Sequence, residues 1–296
     1  MTRHLAVLLA ILAGALALVP AALAAPAAVA APTAAAAPAV RIVSLSPTAT
    51  ESLFAIGAGK QVVAVDDQSS YPAAAPRTKL SGLQSSAEAI VVHDPDLVII
   101  QFDPGGLVKA LDKVGVKVLI QPSATTLAQA YGQIAELGTI TGRQVQAARV
   151  VAAMKSGISK AVSGARTRIA GLKVYYELNN TYYSATSKTF IGQLLRLLGV
   201  KNVADAADAK GTGYPQLSAE YIVSTNPDAI VLADGKCCRQ NAATVAARAG
   251  WKDIAAVRHK AVIVVDDDIA SRWGPRTVAL VRTLAERLAA VAPKTR

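Results

Sequence analysis

The sequence predicts an α/β fold of two similar lobes, each built on a mostly parallel sheet, with one long helix that joins them. Short apolar runs alternate with helical stretches along the chain, a pattern typical of βαβ units and parallel sheets. One segment also occurs twice: residues 88–100 recur as residues 220–232, and both copies read Glu-x-Ile-Val, then Pro-Asp, then an apolar strand. The repeat indicates that the second half of the chain copies the fold of the first.

The strands of both lobes are predicted where apolar runs are bounded by Asp, Pro or Gly. The first lobe begins with a buried strand over residues 41–45 and a helix that opens with Ser46-Pro47-Thr48 and is closed by Gly57. The remaining strands are predicted at Val62–Val65, Leu97–Ile100, 116–120 and 261–265.

The joining helix is predicted at residues 141–168, between a first lobe at 40–140 and a second lobe at 169–292. Apolar side chains recur there at helical spacing, and helix breakers are few. The exception is Gly157, since glycine weakens a helix by about 1 kcal/mol relative to alanine. The stretch lacks the heptads of a coiled coil.

The first 24 residues, 1–24, are predicted to be a signal peptide. Arg3 gives a basic start, residues 5–19 are apolar, and Ala22-Leu23-Ala24 has the small-residue pattern of a cleavage site. Residues 25–39 are almost entirely Ala and Pro and are predicted to form a disordered leader. No cysteine lies near the cleavage pattern, so we expect no lipid anchor on a cysteine and a periplasmic or extracellular protein.

The chain is basic, with a formal net charge of +11. Nucleic acid is not an expected partner, because the basic residues have no interleaved aromatics and form no nucleic-acid motif. The densest basic stretch, between Leu137 and Tyr176, contains no acidic residue. It has two interpretations: a solvated helix face, or a field that favours anionic ligands or membrane surfaces. Its basic residues are Arg143, Arg149, Lys155, Lys160, Arg166, Arg168 and Lys173.

Three motifs together resemble one known family. They are Val43-Ser44-Leu45-Ser46-Pro47-Thr48-Ala49-Thr50-Glu51, the two copies of the repeat, and Gly274-Pro275-Arg276 near the end. Their order and spacing along residues 40–292 resemble the cobalamin and iron-siderophore periplasmic binding proteins. The resemblance implies two Rossmann-like lobes with mostly parallel sheets, joined by one long helix, with the ligand in the crevice between the lobes.

The resemblance also implies a function, that of the substrate-binding protein of an ABC importer. Such a protein captures a metal chelate (a corrinoid such as cobalamin, a ferric siderophore or haem) and delivers it to a membrane permease and its ATPase. We expect a monomer with no resident cofactor or metal. No enzymatic activity is expected, because a Gly-x-Ser-x-Gly motif and phosphate-binding glycine loops are missing from the sequence. The alternative is a secreted protein that senses or scavenges a chelate without a transport role.

Two glutamates are candidates for contact with the permease. In the family that the chain resembles, one glutamate from each lobe docks onto permease arginines, and Glu88 and Glu220 stand at those positions. The competing interpretation is helix capping, since Ser85-x-x-Glu88 has the spacing of a capping box. Thr48-x-x-Glu51 has the same spacing, and Glu51 is interpreted as structural.

Ligands of open α/β sheets bind outside the carboxyl ends of the strands. Aromatic side chains beside an occasional charge suit a large planar chelate at such a place. A haem would also need an axial ligand, which Tyr182 or Tyr183 could supply. The predicted ligand-binding residues are Phe102, Tyr182, Tyr183, Tyr214, Cys237, Cys238, Asp268, Arg272 and Trp273.

The resemblance ranks corrinoids narrowly ahead of the other chelates. Asp268-x-x-x-Arg272 is similar to the part of the cobalamin-binding members that touches the ligand. Tyr214 stands where those members have a tryptophan. Gln68 and Leu83 depart from the pattern, because the cobalamin-binding members have aromatic residues at those positions.

Cys237 and Cys238 are the only cysteines of the chain. In an oxidising compartment they stay free, pair with each other or pair between chains. Neighbouring Cα atoms lie about 3.8 Å apart, whereas ordinary disulfides hold them about 4.4–6.8 Å apart, so a bond between neighbours is strained. The hypothesis is a vicinal disulfide that faces the crevice.

Overall fold

The computed structural model describes residues 41–292, which form two four-stranded sheets covered by helices. The predicted signal peptide and the Ala/Pro-rich leader lie outside the described residues. The limits predicted for the lobes, residues 40–140 and 169–292, stay predictions.

The first sheet has the strand order β2-β1-β3-β4, and all its pairings are parallel. Its two central strands are buried along their whole length, which is why both read as mainly apolar runs in the sequence, with Ser44 the one polar residue. Its strands are β1 (Ile42–Leu45), β2 (Val62–Val65), β3 (Leu97–Ile100) and β4 (Lys117–Ile120).

The second sheet has the order β6-β5-β7-β8, again with parallel pairings only. Its strands are β5 (Lys173–Glu177), β6 (Lys201–Asn202), β7 (Ala229–Leu232) and β8 (Val262–Val264). The strands that end the two copies of the repeat, β3 and β7, hold the same position in their sheets. The predicted α/β fold of two similar lobes is therefore confirmed.

The helices of the first lobe cover both faces of its sheet. They are α1 (Pro47–Ala55), α2 (Ala87–Val91), α3 (Leu107–Asp112) and α4 (Leu127–Ile140). One face packs against α1, α4 and the joining helix through side chains such as Leu53, Ile134 and Met154. The opposite face packs against α2 and α3 through Ile90 and Leu111.

The helices of the second lobe surround a larger core that includes the fully buried Trp251 and Tyr175. They are α6 (Phe190–Leu198), α7 (Ala219–Thr225), α8 (Ala242–Ala246), α9 (Ala255–Arg258), α10 (Asp267–Ala270) and α11 (Thr277–Val291). Within residues 41–292, no helix has the length and apolar character that a membrane span requires.

The joining helix, α5, runs from Gln144 to Ile169, close to the prediction. Gly142, with a φ of +70°, separates it from α4, because that backbone conformation favours glycine. The structure also explains Gly157. A Cβ atom there would lie 2.6 Å from Cγ1 of Val278, so the glycine allows α5 and α11 to pack closely.

Candidate functional site

The two lobes meet over the carboxyl ends of their strands. The segment that follows β8 reaches across to the first lobe, where Nη2 of Arg272 donates to the backbone oxygen of Gln68, 2.8 Å away. Gln68 itself follows the carboxyl end of β2. The loops between these strand ends are therefore the candidate ligand crevice, as expected for open α/β sheets.

A buried carboxylate holds the two lobes together. Glu51, on α1 of the first lobe, is 2% exposed. Its Oε1 accepts from Nη1 of Arg272 at 2.7 Å and from Nη2 of Arg276, and its Oε2 accepts from Nε of Arg276 at 2.9 Å. Both oxygens are thus occupied by guanidinium groups of the other lobe.

This arrangement corrects the capping box predicted for Glu51. The N-cap of α1 is Ser46, whose hydroxyl accepts from the backbone N–H of Ala49, and Thr48 lies inside the helix. Glu51 is structural, but as an ion pair between lobes. Arg272, predicted to contact the ligand, is 7% exposed and its guanidinium is bound by Glu51 and Gln68.

Trp273 also packs between the two lobes. The residue is 8% exposed, and its indole Nε1 donates to Oε1 of Gln133 on α4, 2.7 Å away. A ligand in the crevice would therefore meet little of this ring.

The exposed aromatic side chains are concentrated at the crevice. Within residues 41–292, the aromatics that are exposed are Tyr71, Phe102, Tyr183 and Tyr214. Tyr71 and Phe102 follow β2 and β3 of the first lobe, and Tyr183 follows β5 of the second. Tyr214 is brought beside Tyr183, because the backbone oxygen of Pro215 accepts from the N–H of Ser184. Both lobes thus contribute aromatic surface, typical of a site for a large apolar ligand.

Tyr71 was missed by the sequence analysis. The guanidinium carbon of Arg276 lies 4.4 Å from the centre of its ring, a cation–π contact between the lobes. The residue stands outside any motif, six residues beyond the end of the buried strand β2. Its position after a strand end was the only signal available.

Tyr182 packs inside the second lobe. Its ring stacks on Trp251 with centroids 5.6 Å apart, and the guanidinium of Arg248 lies over both rings. Arg248 in turn forms a two-pronged ion pair with the buried Glu177, at 2.6 Å for each bond. Of the two tyrosines proposed as haem ligands, Tyr183 is therefore the exposed one.

The loop that contains Cys237 and Cys238 follows β7 and lies against the start of α10. The backbone N–H groups of Lys236 and Cys237 both donate to Oδ2 of Asp267, at 2.9 and 3.0 Å. Nζ of Lys236 pairs with Asp266 at 2.7 Å and with Asp268 at 2.9 Å. These bonds place the loop beside Asp268, whose side chain is 40% exposed and available to a ligand.

Both cysteines are free thiols in the structure, so the vicinal disulfide of the hypothesis is not formed there. Although Cys237 is exposed as a residue, its sulfur contacts the backbone oxygen of the buried Asp234 at 3.8 Å. Burial of the thiol and its hydrogen bond to Cys238 raise the pKa of Cys237 to about 12. Cys237 is therefore protonated, and a protonated thiol is a poor nucleophile.

Two buried carboxyl groups lie beneath the crevice, one in each lobe. Asp234 is fully buried, and neither of its carboxylate oxygens has a hydrogen-bond partner among the described residues. Burial and the neighbouring Glu177 raise its pKa to about 7. Asp66, which follows β2, is 2% exposed, and burial raises its pKa as well.

Glu88 and Glu220 have the same local geometry in the two lobes. Ser86 and Ser218 are the N-caps of α2 and α7, so each glutamate is the second residue of its helix. The competing interpretation placed Ser85 in a capping box with Glu88, but Ser85 is not the N-cap of α2. Hydrogen bonds from its own backbone N–H and from the capping serine lower the pKa of each glutamate. Both are exposed and negatively charged at neutral pH.

Comparison with known proteins identifies the family. The family model for periplasmic binding proteins matches residues 42–269. An uncharacterised ABC transporter substrate-binding lipoprotein of Bacillus subtilis is 32% identical over 84% of this chain and 79% of its own length. The vitamin B12-binding protein of Pectobacterium carotovorum is 27% identical over 86% of this chain and 90% of its own length.

A solved structure agrees with both relatives. The crystal structure of a possible iron-binding, periplasmic solute-binding protein from Staphylococcus epidermidis is 27% identical. It superimposes with a TM-score of 0.73 over 84% of this chain and 98% of that chain. The chain therefore belongs to the periplasmic binding protein family, whose members bind solutes and are not enzymes.

Proposed function

We propose that this protein is the substrate-binding component of an ABC importer and captures a metal chelate outside the cytoplasm. The observation that carries the proposal is the aromatic surface of the crevice, to which Tyr71 and Phe102 contribute from one lobe and Tyr183 and Tyr214 from the other. Aromatic walls bind flat, largely apolar molecules through wide contact areas. A metal chelate of the corrinoid, ferric-siderophore or haem kind has such a surface.

Corrinoids rank first among these chelates. A relative that covers most of this chain is named a vitamin B12-binding protein, whereas a structural relative is named as possibly iron-binding. The polar groups at the crevice edge also suit a ligand with many amide side chains. Asp268 accepts hydrogen bonds and Lys236 donates them, and both are partly exposed. An amide group can donate a hydrogen bond to a carboxylate such as Asp268 and accept one from an ammonium such as Lys236.

The partners of the protein are a membrane permease and its ATPase. Glu88 and Glu220 support this proposal, because the two lobes present them in matching positions at the first turns of α2 and α7. A carboxylate at each end of the molecule can form charge-assisted hydrogen bonds with arginines of a two-fold symmetric permease.

A ligand titration tests the proposal. Purified protein is titrated with cyanocobalamin, a ferric siderophore and haem while its tyrosine and tryptophan fluorescence is followed. We expect at least one sub-micromolar partner. Val145→Ala, which removes an exposed apolar side chain on α5 away from the crevice, should leave that affinity unchanged. Failure of all three chelate classes to bind would contradict the proposed ligand and leave the fold assignment intact.

A further inference from the structure

The joining helix α5 carries an unusual excess of positive charge. It contains five basic residues and no acidic one: Arg149, Lys155, Lys160, Arg166 and Arg168. None of them lies within ion-pair distance of a carboxylate among residues 41–292. Residues 1–40 and 293–296 include no Asp or Glu, so they have no carboxylate side chain to offer either.

The charge lies on the solvent side of the helix. All five basic residues are exposed, whereas the face toward the core consists of small and apolar residues such as Ala147, Met154 and Ile158. From Arg149 to Arg168 the basic residues extend over about 29 Å of the helix.

A groove between α5 and α11 adds to this surface. Its volume is about 550 Å³, and its floor is made of glycine and alanine residues such as Ala161 and Ala285. Its charged residues are Lys160, Arg168, Arg282 and the one acid Glu286. The groove is thus mainly positive at its edges.

The basic face lies away from the crevice and from Glu88. The turn before α5 is at the amino end of the first sheet, where Nε2 of Gln61 donates to the backbone oxygen of Thr141 at 3.3 Å. The helix ends just before Lys173, at the amino end of β5. The crevice lies at the opposite, carboxyl ends of the strands. Glu88 is on α2, which covers the face of the first sheet opposite to α5.

We propose that this face, formed by α5 and the adjoining edge of α11, binds the surface of an anionic phospholipid membrane. Lys and Arg side chains near such a surface are attracted by the negatively charged headgroups, and the attraction adds up over an extended array. No shaped pocket is needed for this contact. While the protein is bound to lipid through this face, its crevice stays open to the solution and Glu88 points away from the membrane. Docking on a permease therefore requires release from the lipid.

Vesicle sedimentation tests this inference with the intact protein. We expect binding to vesicles that contain phosphatidylglycerol and none to pure phosphatidylcholine. Binding should weaken steeply as salt is added, because the screening length falls from about 10 Å at 0.1 M to about 3 Å at 1 M ionic strength. The triple variant Arg149→Glu, Lys155→Glu, Lys160→Glu should reduce vesicle affinity by roughly tenfold or more.

A matched control variant separates the effect of this face on vesicle binding from the effect of the protein's net charge. Lys109→Glu, Lys113→Glu, Lys117→Glu changes the net charge by the same amount at exposed positions of α3, its C-cap and β4. It should retain vesicle binding. Circular dichroism verifies that every variant is folded.

Three results would overturn the inference. The first is an equal loss of vesicle affinity in both triple variants, and the second is no binding to phosphatidylglycerol vesicles at low salt. The third is a protein that binds polyphosphate but does not bind vesicles. The last result would indicate an anionic polymer as the partner. None of these outcomes depends on the chelate titration, so this inference and the proposed function fail separately.

Discussion

Glu51 of the first lobe and Arg272 of the second form a buried ion pair, with Oε1 and Nη1 2.7 Å apart. Arg276 binds the same carboxylate and also covers the ring of Tyr71. One acidic side chain therefore binds two guanidinium groups of the other lobe and fixes the side of the crevice at which the lobes meet.

Removal of Glu51 should be strongly destabilising. Glu51→Ala leaves two guanidinium groups without their carboxylate, one of them buried, and removal of one partner from a buried pair costs about 3–5 kcal/mol. Urea unfolding measures this loss. Asp94→Asn is the control, because it alters the exposed pair of Arg41 and Asp94, and it should change stability little. An unfolding midpoint of Glu51→Ala equal to that of the wild type would contradict the role given to Glu51.

Asp234 should make the protein less stable as pH rises. Its pKa in the folded state is raised to about 7, from an ordinary value of 3.8. The folded protein therefore holds this proton more tightly than the unfolded chain does. The resulting stabilisation is complete below about pH 4 and is lost as pH rises through about 7.

Asp234→Asn removes this titration and should flatten the fall in stability between pH 5 and pH 8. Chemical unfolding at several pH values measures it, with the exposed Asp67→Asn as the control. If the stability of Asp234→Asn falls with pH as much as that of the wild type, the Asp234 carboxyl is not the titrating group.

Two glycines of α5 should respond oppositely to alanine. At Gly164 a new Cβ meets no atom within 4 Å, so Gly164→Ala should gain the helix propensity of alanine, up to about 1 kcal/mol. At Gly157 the new Cβ would lie 2.6 Å from Cγ1 of Val278, a stiff β-branched side chain, so Gly157→Ala should destabilise the protein. Thermal unfolding compares the two. Stabilisation by both substitutions would show that α5 and α11 are not closely packed at Gly157.

Charge reversal of the docking glutamates should separate binding from transport. Glu88→Lys with Glu220→Lys should abolish uptake through the cognate permease and leave ligand affinity intact, because both side chains lie on α2 and α7 outside the crevice. A single reversal should have a milder effect. Asp112→Lys with Asp253→Lys is a charge-matched control at exposed positions. Undiminished uptake by the Glu88 and Glu220 double variant would leave both residues with a capping role only.

The thiols should be found reduced. Intact mass after alkylation without reductant should show two modified cysteines in the unfolded protein. Cys237 should react slowly in the folded protein, because its raised pKa keeps it protonated. A monomer about two mass units lighter than the dithiol would instead support the vicinal disulfide.

The sequence predicts the fold well because the fold depends on local patterns. Strands such as β3 and β7 are buried on both faces, so they read as apolar runs, and the repeat reveals that the two lobes are alike. The two-residue strand β6 carries no such pattern and was not predicted.

The site was predicted less completely, because its contacts join residues that are far apart in the sequence. Glu51 has the spacing of a capping box, and only the fold shows that Arg272 and Arg276 reach it. Tyr182 and Tyr183 are neighbours, and the sequence does not distinguish which of them faces the ligand. The positive φ of Tyr182 and its stacking on Trp251 separate their environments.

A ligand held between the two lobes should lose affinity when an aromatic side chain is removed from either wall of the crevice. Tyr71→Ala changes the first lobe and Tyr214→Ala the second, and calorimetric titration with the tightest-binding chelate measures both. If the ligand lies between the lobes, each substitution should weaken affinity by roughly tenfold or more, since loss of a well-packed aromatic contact costs about 2 kcal/mol and about 1.4 kcal/mol is tenfold. Unchanged affinity in both variants would contradict a ligand held between the two lobes.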